Sequence, residues 1–434
     1  MNKFSFTLPV MLTLSLALTG CDEKAKLTPE QQTGPNPVMP KARDFLMPPM
    51  QVPSGVGWKA GAQPQVAAGL RIEKMADGFM HPRQVYVLPN DDVLVVESNS
   101  PGTEPLTTPK QLIAGIVKNQ SGKGGKGGNR ITLLRKGSHG WEKHLFLENL
   151  HSPFGVQLIG DNLYVANTDS IVRYRYEAGE THISDPGTEL ADLPDTINHH
   201  WTKALLASPD GTKLYVGVGS NSNITENGLD VEYRRANVLE VDTQTGASRI
   251  FASGIRNPTG LGWEPRTGKL WAIANERDEI GADLVPDYLT SVQEGGFYGW
   301  PWSYFGQHVD RRAQPPRPDM VAKAIKPDYA LSSHVAPLGL LFYTGHTLPQ
   351  KYQGGAFISE HGSWDRSPLN GYQVSFVAFK DGKPVGTPET VVSGFVSGDE
   401  KELYGAPVGL TQDKQGALIV ADDVGNTVWR VSAK

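Results

Sequence analysis

From Gly69 to the C-terminus one pattern of apolar and polar positions recurs six times: an apolar stretch usually opened by proline, a turn, then a short apolar run ending at small or polar residues. Four copies are explicit. Pro82-Arg83-Gln84-Val85 leads to Val93-Leu94-Val95, Pro153-Phe154-Gly155-Val156 to Leu163-Tyr164-Val165, Pro258-Thr259-Gly260-Leu261 to Leu270-Trp271-Ala272, and Pro407-Val408-Gly409-Leu410 to Leu418-Ile419-Val420. Two looser copies run from Lys203-Ala204-Leu205-Leu206 to Leu214-Tyr215-Val216 and from Pro337-Leu338-Gly339-Leu340 to Ala356-Phe357-Ile358. Runs of this length predict strands. A four-stranded sheet buries its faces only against neighbours, so six such units predict an all-β fold, a closed six-bladed β-propeller. Gly69 to Phe79, with Leu70 and Ile72 alternating with polar positions, is expected to join the last blade and so remove a free sheet edge.

Pro82 and Pro407 lie 325 residues apart over five intervals, about 65 residues each, against the roughly 40 to 50 of compact propeller repeats. Insertions at Asn99 to Asn129 and Leu284 to His334 account for the surplus. The first contains Ser121-Gly-Lys-Gly-Gly-Lys-Gly-Gly128. That run lacks the Lys-Ser/Thr ending and the strand-to-helix setting of a phosphate-binding loop, and reads as a flexible loop.

Ahead of the repeats, Lys3 and the apolar run Phe4 to Leu18 have the form of an export leader over residues 1–20, too short to anchor the chain by itself. Leu18-Thr19-Gly20-Cys21 is similar to a bacterial lipobox, and Cys21 is the single cysteine among 434 residues, so no intramolecular disulfide can form and lipidation of Cys21 is predicted. Residues 22–66 lack periodicity and are rich in Pro, Gln, Lys and Gly, so they read as a disordered tether between the lipid and a propeller spanning 67–434. The expected location is the periplasmic face of a membrane. With 48 Gly, 32 Pro and a formal charge of −5, the body is turn-rich, and its dispersed Lys and Arg give no reason to expect nucleic acid. A small polar ligand fits better.

Polar residues concentrate just after the short strands and just before the apolar stretches, where propeller loops converge on the central channel. The richest are Asn198-His199-His200-Trp201, Gly219 to Asn223, Arg256-Asn257, Asn275 to Glu279, His334, Glu360 to Arg366, and Asp422-Asp423. Taken in order, with Ser208-Pro-Asp-Gly211, Gly295-Gly-Phe-Tyr-Gly-Trp-Pro301 and Ala421-Asp-Asp-Val-Gly-Asn426, these segments resemble the L-sorbosone dehydrogenase-like branch of the glucose/sorbosone dehydrogenases. The resemblance implies a six-bladed propeller that uses pyrroloquinoline quinone (PQQ) and calcium to oxidise an aldose or a sorbosone-like sugar, handing electrons to an acceptor the sequence does not identify.

Carried over by position, His200 stands at the general base, ten residues before Asp210, with His199 as the competing candidate. A neutral imidazole suits the removal of a hydroxyl proton near neutral pH. Arg256 and Asn257 match the pair that faces the quinone; otherwise they would hold a loop network around the Asn-Pro turn. Glu276, Asp278 and Glu279 sit where the family places calcium, although surface acids paired with Arg277 would look the same. Two departures stand out. The glucose dehydrogenases have an aspartate where this chain has Ser220, and an Arg-x-Arg pair for the cofactor carboxylates where it has Gly405-Ala406-Pro407. Lys203, Arg277, His334, His361 and Arg366 are therefore the candidate cofactor contacts. A non-catalytic periplasmic propeller binding a carbohydrate or protein, and a calcium-dependent lactonase-type hydrolase, are the competing functions. No nicotinamide fingerprint is present.

Replacing Cys21 by Ser is expected to release the protein from the membrane fraction or leave its leader uncleaved. Continued incorporation of labelled lipid by that variant would refute the lipidation site.

Overall fold

In the computed structural model the described residues are 24–43, 50–102, 109–196 and 198–434. The leader and Cys21 lie outside them. Six antiparallel sheets form a ring. Blade 1 comprises Pro82–Val87, Val93–Glu97, Arg130–Gly137 and Gly140–Leu147. Blade 2 comprises Gly155–Ile159, Asn162–Ala166, Ser170–Arg175 and Thr188–Asp192. Blade 3 comprises Lys203–Ala207, Lys213–Val218, Asn237–Asp242 and Ser248–Ser253. Blade 4 comprises Pro258–Trp263, Leu270–Ala274, Pro286–Ser291 and Tyr329–Ser333. Blade 5 comprises Pro337–Phe342, Ala356–Glu360, Gln373–Lys380 and Lys383–Ser393. Blade 6 is built from Pro407–Gln412, Leu418–Asp422 and Thr427–Ala433, completed by Leu70–Asp77 from the other end of the body.

The six predicted units are the first two strands of the six blades. Proline opens four of the inner strands, a position where a missing N–H does not interrupt the ladder. The second strands of blades 1, 4, 5 and 6 are buried at every residue, because both faces are covered by neighbouring sheets; this is why they read as unbroken apolar runs. Between blades 1 and 2, for example, Leu94, Val96 and Leu133 pack on Val156, Leu163 and Val165. Each fully buried side chain of this kind contributes roughly 1.5–3 kcal/mol.

Two expectations change. The blade 4 insertion is narrower than Leu284 to His334, since that stretch contains the third and fourth strands, Pro286–Ser291 and Tyr329–Ser333. More consequentially, the described parts of the predicted tether are not a tether. Thr33–Gly34 pairs with the outer strand of blade 4 and Gln65–Val66 with that of blade 5. Ser54–Gly55 pairs with Glu402–Leu403. Trp58 donates from Nε1 to Asp422 Oδ2 at 2.6 Å, and its ring packs on Phe395, Tyr404 and Trp429. The segment lacks an apolar period of its own because it is held by backbone bonds to exposed edges and by one indole, neither of which leaves a periodic signature.

Candidate active site

In every blade the loop before the inner strand and the loop after the second strand open on the same face, so the polar segments named from sequence gather around one channel mouth. Polar bonds between consecutive blades fix them there. Ser98 Oγ donates to Pro153 O, Thr168 Oγ1 to Trp201 O (3.0 Å), Ser220 N to Arg256 O (2.8 Å), Asn275 Nδ2 to Pro337 O (2.7 Å) and Ser359 Oγ to Val408 O. His81 N donates to Asn426 Oδ1 at 3.1 Å, joining blade 1 to blade 6.

His200 is half-buried, and its Nδ1 lies 2.9 Å from Ser220 O and 3.0 Å from Ser220 Oγ. Ser220 Oγ itself donates to Ser222 O at 2.6 Å. Because the carbonyl can only accept, it fixes the tautomer with the proton on Nδ1 and the lone pair on Nε2. Burial, reinforced by the Arg256 guanidinium and by His199, pushes the His200 pKa well below the ordinary imidazole value. His199 is exposed, with its ring edge-on to His200 at 4.5 Å. His200 and Asn257 both lie against the backbone at Gly219, where a methyl group would overlap His200 Cβ and Asn257 Oδ1.

Arg256, 2% exposed, donates from Nη1 to Glu276 O (2.7 Å), from Nη2 to Asn223 Oδ1 (2.9 Å) and from Nε to Asn223 O (3.2 Å), and it lies 3.4 Å from Asp278 Oδ2. Asp278 reaches in turn toward His334, with Oδ1 3.6 Å from Nδ1, while Asp365 Oδ1 lies 3.3 Å from the same nitrogen. His334 Nε2 is 2.9 Å from Gly281 O and donates to it, which leaves Nδ1 facing two carboxylates. That is tolerable only with a cation between them, either a proton or a metal. Burial alone would lower the His334 pKa, but Asp365 and Asp278 more than reverse it; burial raises that of Asp365, whose two oxygens are buried without a hydrogen-bond partner. One ligand atom each from Asp278, His334 and Asp365 lie within 4.8 Å of one another.

A second cluster at the mouth gathers basic side chains from blades 1 and 5 around Asp423 of blade 6. Arg83 from blade 1 is paired with Asp423 of blade 6 and stacks over Trp201 of blade 3, 5.2 Å from the ring centre, so it spans the channel. Asp423 also accepts from His361 Nε2 at 2.9 Å. Burial lowers the His361 pKa to about 4, with Asp423 opposing. Lys123, from the glycine-lysine run, reaches the carbonyls of His361 (3.1 Å) and Gly362 (3.4 Å) and lies over the Tyr372 ring. Burial lowers its pKa to about 8. Arg83 Nε and Asn257 Oδ1 are buried without a hydrogen-bond partner.

Several sequence candidates are committed elsewhere. Arg277 is fully buried and binds Glu276 Oε2 (3.0 Å), Asp310 Oδ2 (3.1 Å) and the carbonyls of Pro301 and Ser303. It anchors the blade 4 insertion, and its pairing removes Glu276 from the cation cluster, leaving only Oε1 unpartnered. Arg366 donates to Gln32 Oε1 (3.0 Å) and Ala282 O (2.7 Å), holding the N-terminal segment. Lys203 is buried against Trp201 O at 3.2 Å, with its pKa lowered by burial and by Arg235 to about 7. Glu279 is half-buried and acts on Asp365 through its charge. Sequence reasoning missed Arg83, Lys123 and the joining of His334 and Asp365 to Asp278. Arg83 left a visible signal, since it stands where the other proline-led repeats carry Phe154, Thr259, Leu338 and Val408.

This is a six-bladed propeller whose mouth carries an acidic cluster with His334, a second cluster of buried basic side chains around Asp423, and His200. The chain belongs to the TrAA12-like family, whose model matches residues 64–287 and 317–434. The unmatched stretch falls mostly in the blade 4 insertion. The chain is 24% identical over 325 residues to a pyrroloquinoline quinone-dependent sugar dehydrogenase of Hypocrea jecorina, covering 63% of this chain and 72% of that protein. Its fold is similar to a Trichoderma reesei enzyme of carbohydrate-active family AA12 (TM-score 0.70, 19% identity, 90% of this chain and 100% of that one). It is also similar to the holo PQQ domain of pyranose dehydrogenase from Coprinopsis cinerea (TM-score 0.68, 18% identity, 88% and 100%).

Gly219→Ala is expected to displace His200 and Asn257 together, lowering stability by about 1–3 kcal/mol in urea denaturation, the range for overpacking a filled site, and lowering turnover by more than the stability loss explains. Wild-type stability and turnover would show that the two side chains do not depend on that backbone.

Proposed function

We propose that the protein oxidises an aldose or sorbosone-like sugar with PQQ as cofactor, calcium beside it, and His200 as the general base. The observation that supports this most directly is the orientation of His200. A base must present a lone pair and remain neutral at working pH. Ser220 O accepts a hydrogen bond from Nδ1–H, so Nε2 is the basic atom, and the lowered pKa keeps the ring uncharged. The missing aspartate is then no obstacle, since orienting the ring requires only an acceptor, and the Ser220 carbonyl is one.

PQQ, when bound, supplies the acceptor for the hydride that leaves the sugar carbon. His200 Nε2 takes the proton from the hydroxyl on that carbon. Asn257, packed on the same glycine, positions the polar groups next to the base. A tricarboxylate needs fixed cations in a partly buried mouth; Arg83 and Lys123, with Arg256, offer them, in place of the arginine pair absent at Gly405-Ala406. Unpartnered buried atoms on Arg83 and Asn257 fit a polar ligand completing the network. The names of the Hypocrea and Coprinopsis relatives support the same substrate class. Lipidation of Cys21 and a periplasmic location are part of this reading and rest on the lipobox-like leader.

For calcium, a hard ion that takes oxygen ligands, the donors that fit are Asp278 and Asp365, with the nearby Glu279 rather than Glu276, and His334 lies beside them. Carboxylate oxygens left without hydrogen bonds in a buried site are the chemistry such an ion satisfies. A lactonase-type hydrolase would use the same cluster without a quinone, and turnover of a lactone in the absence of added PQQ would favour it.

Chelation should lower the melting temperature of the wild type, and calcium at a hundred times its Kd should restore about 2.7 kcal/mol. In Asp365→Asn both responses should shrink. A melting curve indifferent to chelator, with full PQQ-dependent activity, would count against the site.

His200→Ala should keep the fold and PQQ affinity while lowering kcat by about 10² to 10⁴; His199→Ala should do far less. The wild-type acid limb should lie well below the ordinary imidazole pKa of about 6.5, since a lowered pKa postpones protonation of the base to lower pH. Equal losses in both variants, or an acid limb at the ordinary value, would transfer the role away from His200.

A further inference from the structure

The mouth face carries exposed apolar side chains where the N-terminal segment is pinned. Ala25 N donates to Ser367 O at 2.9 Å, and Lys26 N and Leu27 N donate to Asp283 Oδ2 at 2.6 and 3.2 Å. Arg43 N donates to Ile280 O and Gln51 N to Trp364 O. Ile280 and Asp283 follow Asp278, and Trp364 and Ser367 flank Asp365, so the segment lies directly on the loops that build the cation cluster. It then meets the blade 1 insertion, where Gln120 Nε2 donates to Val52 O at 3.2 Å and Gly55 abuts the Ser121 backbone.

Six of the eleven large apolar residues exposed among the described residues belong to this assembly. Val38, Met50 and Val56 are on the segment, Leu112 (56% exposed) and Ile116 (58%) stand one turn apart on the helix Pro109–Gln120, and Met80 borders the insertion, its carbonyl accepting from Gly128 N. Exposed lysines accompany them, Lys24, Lys26, Lys41 and Lys59 on the segment and Lys126 on the insertion, while the segment's sequence also carries Asp22, Glu23, Glu30 and Asp44. Exposed apolar side chains with lysines among them suit the headgroup region of a bilayer.

We propose that this face rests on a lipid bilayer, so that the channel mouth is held beside the membrane rather than swinging on a leash. The proposal rests on the lipidation of Cys21 proposed above. Only four residue steps separate Cys21 from the pinned Ala25, a reach of at most about 14 Å at full extension. A lipid on Cys21 therefore draws the edge of the mouth at blades 4 to 6, with the blade 1 insertion, onto the interface. The contacts of the segment fall on that edge.

The test uses the acylated full-length lipoprotein in phosphatidylethanolamine/phosphatidylglycerol vesicles. With Cys21 blocked by its thioether, an introduced cysteine is the only free thiol. Ile116→Cys, and as a control Val385→Cys beside the Lys380–Lys383 turn of the opposite face, are labelled with an environment-sensitive fluorophore. Emission at position 116 should shift to the blue on vesicles and be quenched several-fold by a nitroxide on the lipid tails, with no change at 385. A vesicle-bound protein whose label at 116 stays as wet as that at 385 overturns the orientation while leaving the anchor intact. Failure to stay with the vesicles removes the anchor and the orientation together. A blue shift already present without lipid would mean that a second copy covers this face, which also overturns the proposal.

Discussion

The constraint on which the rest of the molecule depends is closure of the ring by the two ends of the propeller body, Leu70–Asp77 paired with Thr427–Ala433 in blade 6. An open array of sheets would leave a long free edge and an unsealed channel. Closure converts six loosely related hairpin pairs into one rigid annulus, and only an annulus brings His200 of blade 3, Arg256 of blade 4, His334 of blade 5 and Arg83 of blade 1 to one mouth. The bonds that cross from blade to blade at that mouth, such as Thr168 to Trp201 O and Asn275 to Pro337 O, then hold loop residues with a precision that loops alone do not have.

The mouth concentrates charge in a place where water is scarce, and its chemistry follows from how that charge is partitioned. In one cluster Asp278 and Asp365 face His334; in the other Asp423 is claimed by Arg83 and His361. Burial would raise the Asp423 pKa, but these two neighbours hold it well below the ordinary range. Asp423 is thereby fully compensated. Asp365 is not, because its carboxylate oxygens lack hydrogen bonds and depend on a shared cation. Burial first, and the neighbouring Arg256 second, lower the His200 pKa and keep its ring neutral.

The fold was legible because its signals are periodic. Proline-led apolar runs, their six-fold recurrence and the alternating Leu70-Ile72 strand each report a burial pattern that a propeller enforces. His200 and Arg256 were legible because they precede inner strands, a position that in this architecture always faces the mouth. Residues whose role depends on a partner distant in sequence were not. Arg277 and Glu276 looked like cofactor and metal groups and are instead each other's counterions, joined by Asp310. Arg366 looked like a cofactor contact and holds Gln32. Lys123, in a run of glycines that has no pattern to read, enters the mouth because Asn99 Nδ2 grips the carbonyls of Lys123 and Gly125 and folds the loop back.

The N-terminal segment shows why low periodicity is not the same as disorder. A chain that packs on an existing surface needs no core of its own: it takes hydrogen bonds from uncovered strand edges and from loop carbonyls, and one well-placed aromatic ring does the work of a hydrophobic face. Trp58 illustrates this, since its indole N–H reaches Asp422, the same carboxylate that receives Ala406 N, Gly425 N and Trp429 Nε1. Burial raises the Asp422 pKa to about 6, so the group needs several donors to remain tolerable inside the protein, and the segment supplies one of them. The loops of blade 6 and the segment that crosses them are thus mutually dependent, as are Arg366 and Gln32 at blade 5. It follows that the segment belongs to the folded unit, and that any load applied at its N-terminus is transmitted to the loops carrying Asp278 and Asp365 rather than absorbed by slack chain.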